Sequence, residues 1–150
     1  NRIKSLYLQD GELSEHNWKL HQKYERMKKE EVRFETFLAE DARLIVAAFG
    51  SMARVAKTSV EMAREEGMKI GLLRPITLFP FPEQIFHQVS KATKSFLTVE
   101  LNTGQMVEDV KLSVDRDAQV WFYGRPPGSL PTPEEILEEI KKVYSIEHRA

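Results

Sequence analysis

The sequence predicts an α/β fold: a three-layer α/β/α sandwich built on a mixed, mostly parallel five-stranded sheet with one antiparallel edge strand. Three observations lead there. Four short apolar runs, "RLIVAAFG" from Arg43, "KIGLLR" from Lys69, "SFLTVEL" from Ser95 and "QVWFYG" from Gln119, recur roughly 25 residues apart. The segments between them have helical period. A further short alternating run precedes the first of the four, too close to it for a parallel crossover.

The N-terminal segment comes first in the chain. Ser14 to Glu31 reads as a charged helix with Leu20, Tyr24 and Met27 on one face. Residues 1–31 are therefore expected to be a helical linker, and 32–150 the α/β domain. "VRFETFL", Val32 to Leu38, alternates, with Val32, Phe34, Thr36 and Leu38 on one side. Only "AEDA" follows before the next strand, which permits a hairpin and makes this segment the antiparallel edge.

The four main runs are continuously apolar, the pattern of parallel strands buried on both faces. After the first come Met52, Val55, Ala56, Ser59, Met62 and Ala63; after the second Ile85, Phe86, Val89 and Ala92; after the third Met106, Val107, Val110 and Val114. Each set recurs at three or four residues and marks one helix face, as in β-α-β crossovers. The last helix has its own start signal in "TPEE". Thr132 is the N-cap, Pro133 takes the first helical position, and Glu135 completes a capping box. Ile136, Leu137, Ile140, Val143 and Tyr144 supply its buried face.

Composition narrows the function classes. The 150 residues carry 22 basic and 23 acidic side chains, a net charge of -1, which argues against nucleic-acid binding. No apolar stretch approaches the ~18 residues of a membrane span. There are no cysteines, which removes disulfides, thiolate metal sites and cysteine-held clusters from this chain and fits a cytoplasmic address. The first residue is Asn1, so the chain reads as part of a longer polypeptide. His16, His21, His87 and His148 are scattered, with no metal-pair spacing.

In open α/β sheets, sites form beyond the carboxyl ends of parallel strands. Those exits are "GSMAR", "RPIT", "ELNTGQM" and "GRPPG", and they give the candidates Gly50, Ser51, Arg74, Pro75, Asn102, Gly104, Gln105 and Arg125. Gly50 and Ser51 start a helix whose N–H groups suit an anion, or Ser51 is a plain N-cap. Arg74 suits a carboxylate or phosphate, a neighbouring chain, or Glu100 on another exit. Asn102 suits turn backbone. The stretch "LRPITLFPFP" adds Phe79 and Phe81. Pro75 and Pro80 are expected to hold the chain extended and Pro82 to start a helix. Ile76, Leu78 and both phenylalanines are expected to pack on another domain or subunit, the alternative being that they cap this domain's own core.

Taken together, "EDARLIVAAFGSMARVAKTSVEMAREEGMKIGLLRPITLFPFP", "VELNTGQM" and "YGRPPGSLPTPEEI" resemble the C-terminal part of the alpha subunit of 2-oxoacid:ferredoxin oxidoreductases, of the 2-oxoisovalerate or 2-oxoglutarate type. "KLHQKYERMKKE" looks like the segment that precedes this domain. Phe49 and Phe79 stand where tyrosine and tryptophan are expected, so an aromatic is kept. The resemblance implies a transketolase C-terminal-like domain. It also implies membership of a complex that converts a 2-oxo acid and coenzyme A to acyl-CoA and CO2 while reducing ferredoxin. Thiamine diphosphate, Mg2+ and iron–sulfur clusters would belong to other parts of that complex, with no cofactor and no catalytic residue in this domain. Its partners would be the other domains and subunits. Two readings stand beside it: a stand-alone module binding phosphate or coenzyme A at the strand ends, and the equivalent domain of an NAD-linked 2-oxoacid dehydrogenase or transketolase.

Overall fold

The computed structural model describes residues 6–147, so His148 lies outside the described residues. Ten elements follow in order: α1 (Glu12–Glu30), β1 (Phe34–Phe37), β2 (Leu44–Ala48), α2 (Gly50–Glu65), β3 (Ile70–Pro75), α3 (Glu83–Ser90), β4 (Ser95–Glu100), α4 (Met106–Ser113), β5 (Gln119–Gly124) and α5 (Pro133–Glu147). The sheet order is β1-β3-β2-β4-β5. β2 to β5 are mutually parallel, and β1 alone is antiparallel. The predicted sheet and its single antiparallel edge are both present.

Two apolar clusters fill the space on either side of the sheet. Leu44, Val46, Leu72, Leu97 and Val99 face α2 and α5, meeting Ala56, Val60, Ile136 and Ile140. Ile45, Ala47, Leu73 and Phe96 face α3 and α4, meeting Phe86, Met106 and Val110. Alternation along each strand sends successive side chains to opposite layers, so continuous apolar runs are required where both layers are helical. The helix faces expected from periodicity are the buried ones: α2 buries Met52, Ala53, Ala56, Ser59, Val60 and Ala63.

Several expectations are corrected. The edge strand does not form a hairpin with β2. It pairs with β3, with Glu35 beside Arg74 and Phe37 beside Leu72. Both edges of β2 are taken by its parallel partners β3 and β4, so β1 reaches past it to the outer edge of β3. Its buried side also differs. Phe34 and Leu38 are exposed, while Phe37 packs on the α2-side cluster with the Lys57 ammonium 4.6 Å from its ring centre. Gly71 permits the crossing: a Cβ there would lie 2.8 Å from both Leu38 O and Ala39 Cα. β5, expected to be buried, is only half so, because it is the other edge.

α1 buries none of its residues. It meets the domain through Tyr24, whose ring stands edge-on to Phe79 with centroids 5.7 Å apart. Among the described residues no helix is long and apolar enough to cross a membrane.

Candidate functional site

Because β2 to β5 run in the same sense, their carboxyl ends open on one rim, and the four predicted exits do gather there. The first is the start of α2. Its N-cap is Phe49, not Ser51, and no side chain caps it. Gly50 takes φ +56°, which a glycine adopts without strain, and the helix begins two residues earlier than a Ser51 cap would place it. Ser51 is exposed in the first turn.

Arg74 does not reach Glu100. Its guanidinium donates to Glu35 at 2.9 Å, the residue beside it on the antiparallel partner. β2 lies between β3 and β4, and the two side chains project from opposite faces of the sheet, so an Arg74–Glu100 pair is ruled out by topology. Pro75 ends β3 and is buried. Arg125 is also engaged internally. It grips Glu135 with two hydrogen bonds, of 3.1 and 2.9 Å, the fork geometry of strong arginine–carboxylate pairs. Glu135 simultaneously completes the predicted capping box. Its carboxylate accepts from the Thr132 N–H at 2.8 Å, and its own N–H donates to the Thr132 hydroxyl at 3.3 Å. The Thr132 N–H first, and the Arg125 guanidinium second, hold the Glu135 carboxyl below its ordinary range. The fourth exit is thereby tied to the start of α5.

The third exit contains a residue that the sequence offered only as a partner for Arg74. Glu100 ends β4 and is fully buried. Its carboxylate lies at the N-terminus of α4. It accepts from the Met106 N–H at 2.8 Å, the Val107 N–H at 2.9 Å and the Gln105 N–H at 3.3 Å. The Asn102 amide adds a fourth donor at 3.0 Å. Asn102 Oδ1 in turn accepts from the Gly104 N–H at 2.7 Å, closing the turn as its position predicts. Gly104 has φ +109°, which favours glycine there. A helix N-terminus is where an anion binds; here the protein's own carboxylate takes that place. A sequence signal existed. The turn before α4 offers only Gln105 as its cap, a poor cap residue, and an acid stands at the strand end immediately upstream.

The aromatic stretch divides. Phe81 is half-buried, its ring stacked on Phe86 at 5.2 Å between centroids, at the margin of the α3/α4-side cluster. Phe79 is 58% exposed, and Ile76 and Leu78 are exposed beside it. The chain bends at Ile76 and over 78–80 rather than running extended, and the Phe79–Pro80 peptide is cis. Thr77 secures the bend: its hydroxyl accepts from the Arg33 N–H at 3.0 Å and donates to Pro80 O at 2.9 Å. Between this segment and α1 runs a groove of about 610 Å³, lined by Phe34, Leu78, Phe79 and Ile85 and by the lysines Lys28 and Lys29.

Cysteine is absent, and the described residues contain no group of three or more histidines and acids able to hold a metal ion. The residues present therefore do not fit an iron–sulfur cluster.

Residues 42–136 match the family model described as pyruvate:ferredoxin oxidoreductase core domain II. The chain belongs to this family. The core domain II match runs from just before β2 into the first turn of α5, and so contains all four exits and the buried residues of the α3/α4-side cluster, while Leu137, Ile140 and Val143 of the other cluster lie just past it. Over 144 residues, 95% of the chain, it is 40% identical to the ketoisovalerate oxidoreductase subunit VorB of Methanothermobacter marburgensis. Over 106 residues, 71% of the chain, it is 37% identical to the 2-oxoglutarate synthase subunit KorA of Methanothermobacter thermautotrophicus. The chain spans only 40% of that VorB and 28% of that KorA. Among solved structures, the 2-oxoglutarate:ferredoxin oxidoreductase of Magnetococcus marinus superposes on 92% of the chain with a TM-score of 0.77 at 19% identity, covering 24% of that protein. A split-gene transketolase superposes on 75% with a TM-score of 0.60. Both bear on the fold alone, and the second places the domain among transketolase-like neighbours.

Proposed function

We propose that this core domain II is a non-catalytic assembly domain of a thiamine-diphosphate-dependent 2-oxoacid:ferredoxin oxidoreductase. The parent would convert a branched 2-oxo acid such as 2-oxoisovalerate, or 2-oxoglutarate, with coenzyme A to acyl-CoA and CO2, passing electrons to ferredoxin. VorB and KorA relatives support that reaction class. Thiamine diphosphate, Mg2+ and iron–sulfur clusters would be held by other domains and subunits of a cytoplasmic complex. Residues 1–31 would link this domain to the rest of that complex, and 32–150 would form the domain.

The observation that carries the reading is the self-occupied rim. Glu100 fills the anion position of α4, Arg74 is held by Glu35, and Arg125 by Glu135. Three groups suited to a charged ligand are engaged in holding loops in place. Beside these closed exits the rim presents an apolar group outward, Ile76, Leu78 and Phe79, flanked by the groove against α1. We assign these residues to contact with the parent's other domains or subunits, with Phe81 anchoring the segment to the core. Gly50 and Ser51 lie on the same rim. The test is viologen reduction with 2-oxo acid, coenzyme A, thiamine diphosphate and Mg2+. The parent complex is expected to turn over and the 150-residue chain alone to show none. Turnover by the chain alone contradicts the proposal.

A further inference from the structure

β5 is a free sheet edge, and its chemistry is that of a strand waiting for a partner. The Gln119 N–H donates to Lys94 O at 2.7 Å and the Arg125 N–H to Glu100 O at 3.1 Å. Odd-numbered residues of β5 thus bond toward β4. Alternation then turns the N–H and C=O groups of Val120, Phe122 and Gly124 away from the sheet. Among the described residues no other strand pairs with this edge.

The two edges of the sheet are treated differently by the sequence. β1 has four residues, carries Glu35, and ends in a kink at Leu38, where φ is +51°. Short length, charge and a kink are the features that keep an edge from pairing. β5 has six residues, Gln-Val-Trp-Phe-Tyr-Gly, with no charge, no proline and no residue at positive φ. At its centre Phe122 is 41% exposed.

We infer that β5 pairs antiparallel with β5 of a second copy of this chain, about a two-fold axis at Phe122, joining the two sheets into one. The strand is self-complementary in this register. Hydrogen-bonded antiparallel pairs form only where outward-facing residues oppose outward-facing residues. Centring on Phe122 sets Val120 against Gly124 of the second copy and Phe122 against its counterpart, so every outward N–H and C=O finds a partner. Trp121 then opposes Tyr123 of the second copy on the α5 side, a favourable cross-strand aromatic pair. Arg125 opposes Gln119, so no like charges meet. The Phe122 ring already lies over its own Gly124, where a Cβ would sit 2.2 Å from the ring. That position brings it beside Val120 of the second copy. The contact is isologous and closed. The guarded β1 edge prevents growth beyond two.

The test joins sedimentation velocity of the 150-residue chain, over about 10 to 200 µM, with amide hydrogen exchange. A dimer is expected whose population rises with concentration. The amides of Val120, Phe122 and Gly124 are expected to exchange at least about tenfold more slowly in the dimer than in the monomer. Phe122→Lys sets two ammonium groups together at the axis. It is expected to raise the dissociation constant at least about tenfold with circular dichroism unchanged. Should this variant misfold, exchange in the unaltered chain still decides. A monomer at every concentration overturns the inference: unprotected amides mean an unpaired edge, and protected amides mean that another segment covers it. A dimer that leaves the three amides unprotected, or that a folded Phe122→Lys variant leaves intact, also overturns it.

Discussion

Glu100 is the residue on which the architecture of the rim turns, and its replacement has a calculable consequence. The carboxylate is fully buried and receives the N–H groups of Gln105, Met106 and Val107 and the amide of Asn102. Glutamine keeps the shape but offers one acceptor oxygen, and its NH2 must face donors. Two or more buried donors then lose their partner, at about 1–3 kcal/mol each after partial relaxation, and the favourable charge at the helix N-terminus is gone. Glu100→Gln is expected to destabilise by about 2–4 kcal/mol, and Glu100→Ala, which orphans all four donors, by about 3–5 kcal/mol. A domain of this size holds about 5–15 kcal/mol in total, so both losses fall within range of urea unfolding at constant slope. Two further readouts separate this role from plain packing. Sulfate is expected to restabilise Glu100→Ala more than the parent, because the vacated helix N-terminus accepts an anion. Burial first, and the neighbouring Glu100 charge second, push the Asp109 carboxyl above its ordinary value; Glu100→Gln is expected to lower it. Variants within about 0.5 kcal/mol of the parent, the scatter of ordinary surface changes, would refute the assignment.

Glu135, held below its ordinary value of 4.5, contributes stability that is full above that pH and disappears as pH falls through the folded value. Melting temperatures between about pH 5 and 3 should therefore fall more steeply in the parent than in Glu135→Gln. Thr98 Oγ1 is buried without a hydrogen-bond partner among the described residues, so Thr98→Val is expected to be neutral or to stabilise by about 1 kcal/mol in urea. Phe81→Ala, stacked on Phe86 at the margin of the core, is expected to cost about 1–3 kcal/mol, and Phe79→Ala about 0.5 kcal/mol or less in the isolated chain; equal losses would contradict the division of the aromatic stretch. Gly71→Ala forces a methyl group onto the backbone of residues 38 and 39 and is expected to cost about 1–3 kcal/mol by the same assay.

The parallel strands were legible because burial between two helical layers makes β2 wholly apolar and most of β3 and β4 apolar, with Ser95, Thr98 and Glu100 the buried polar residues of β4. The start of α5 was legible because a capping box is a local device. Partner choice is not local. Nothing in "FETF" distinguishes β3 from β2 as its neighbour; that depends on β2 having both edges occupied by crossovers. For the same reason "QVWFYG" looks as buried as its neighbours, since an edge strand with no guarding charge has the composition of a central one. At the rim, single residues suggested ligand chemistry because lone arginines and a glycine-led helix start carry no information on their partners. Arg125 and Glu135 lie ten residues apart, and Arg74 and Glu35 39 apart, so these pairs exist only once the sheet is assembled. Glu100 lay hidden because a glutamate at a strand end is ordinary until the unsatisfied start of the following helix is counted.

The central claim is that three of the four strand-end exits are closed by the chain's own side chains, Glu100 foremost. An amide NMR titration of the 150-residue chain with inorganic phosphate and with coenzyme A, following Gln105, Met106 and Val107, tests it most directly. The account predicts no saturable shift of these three signals up to millimolar ligand, because Glu100 already holds their N–H groups. Saturable shifts at all three in the unaltered chain would contradict it and identify the rim as a binding site.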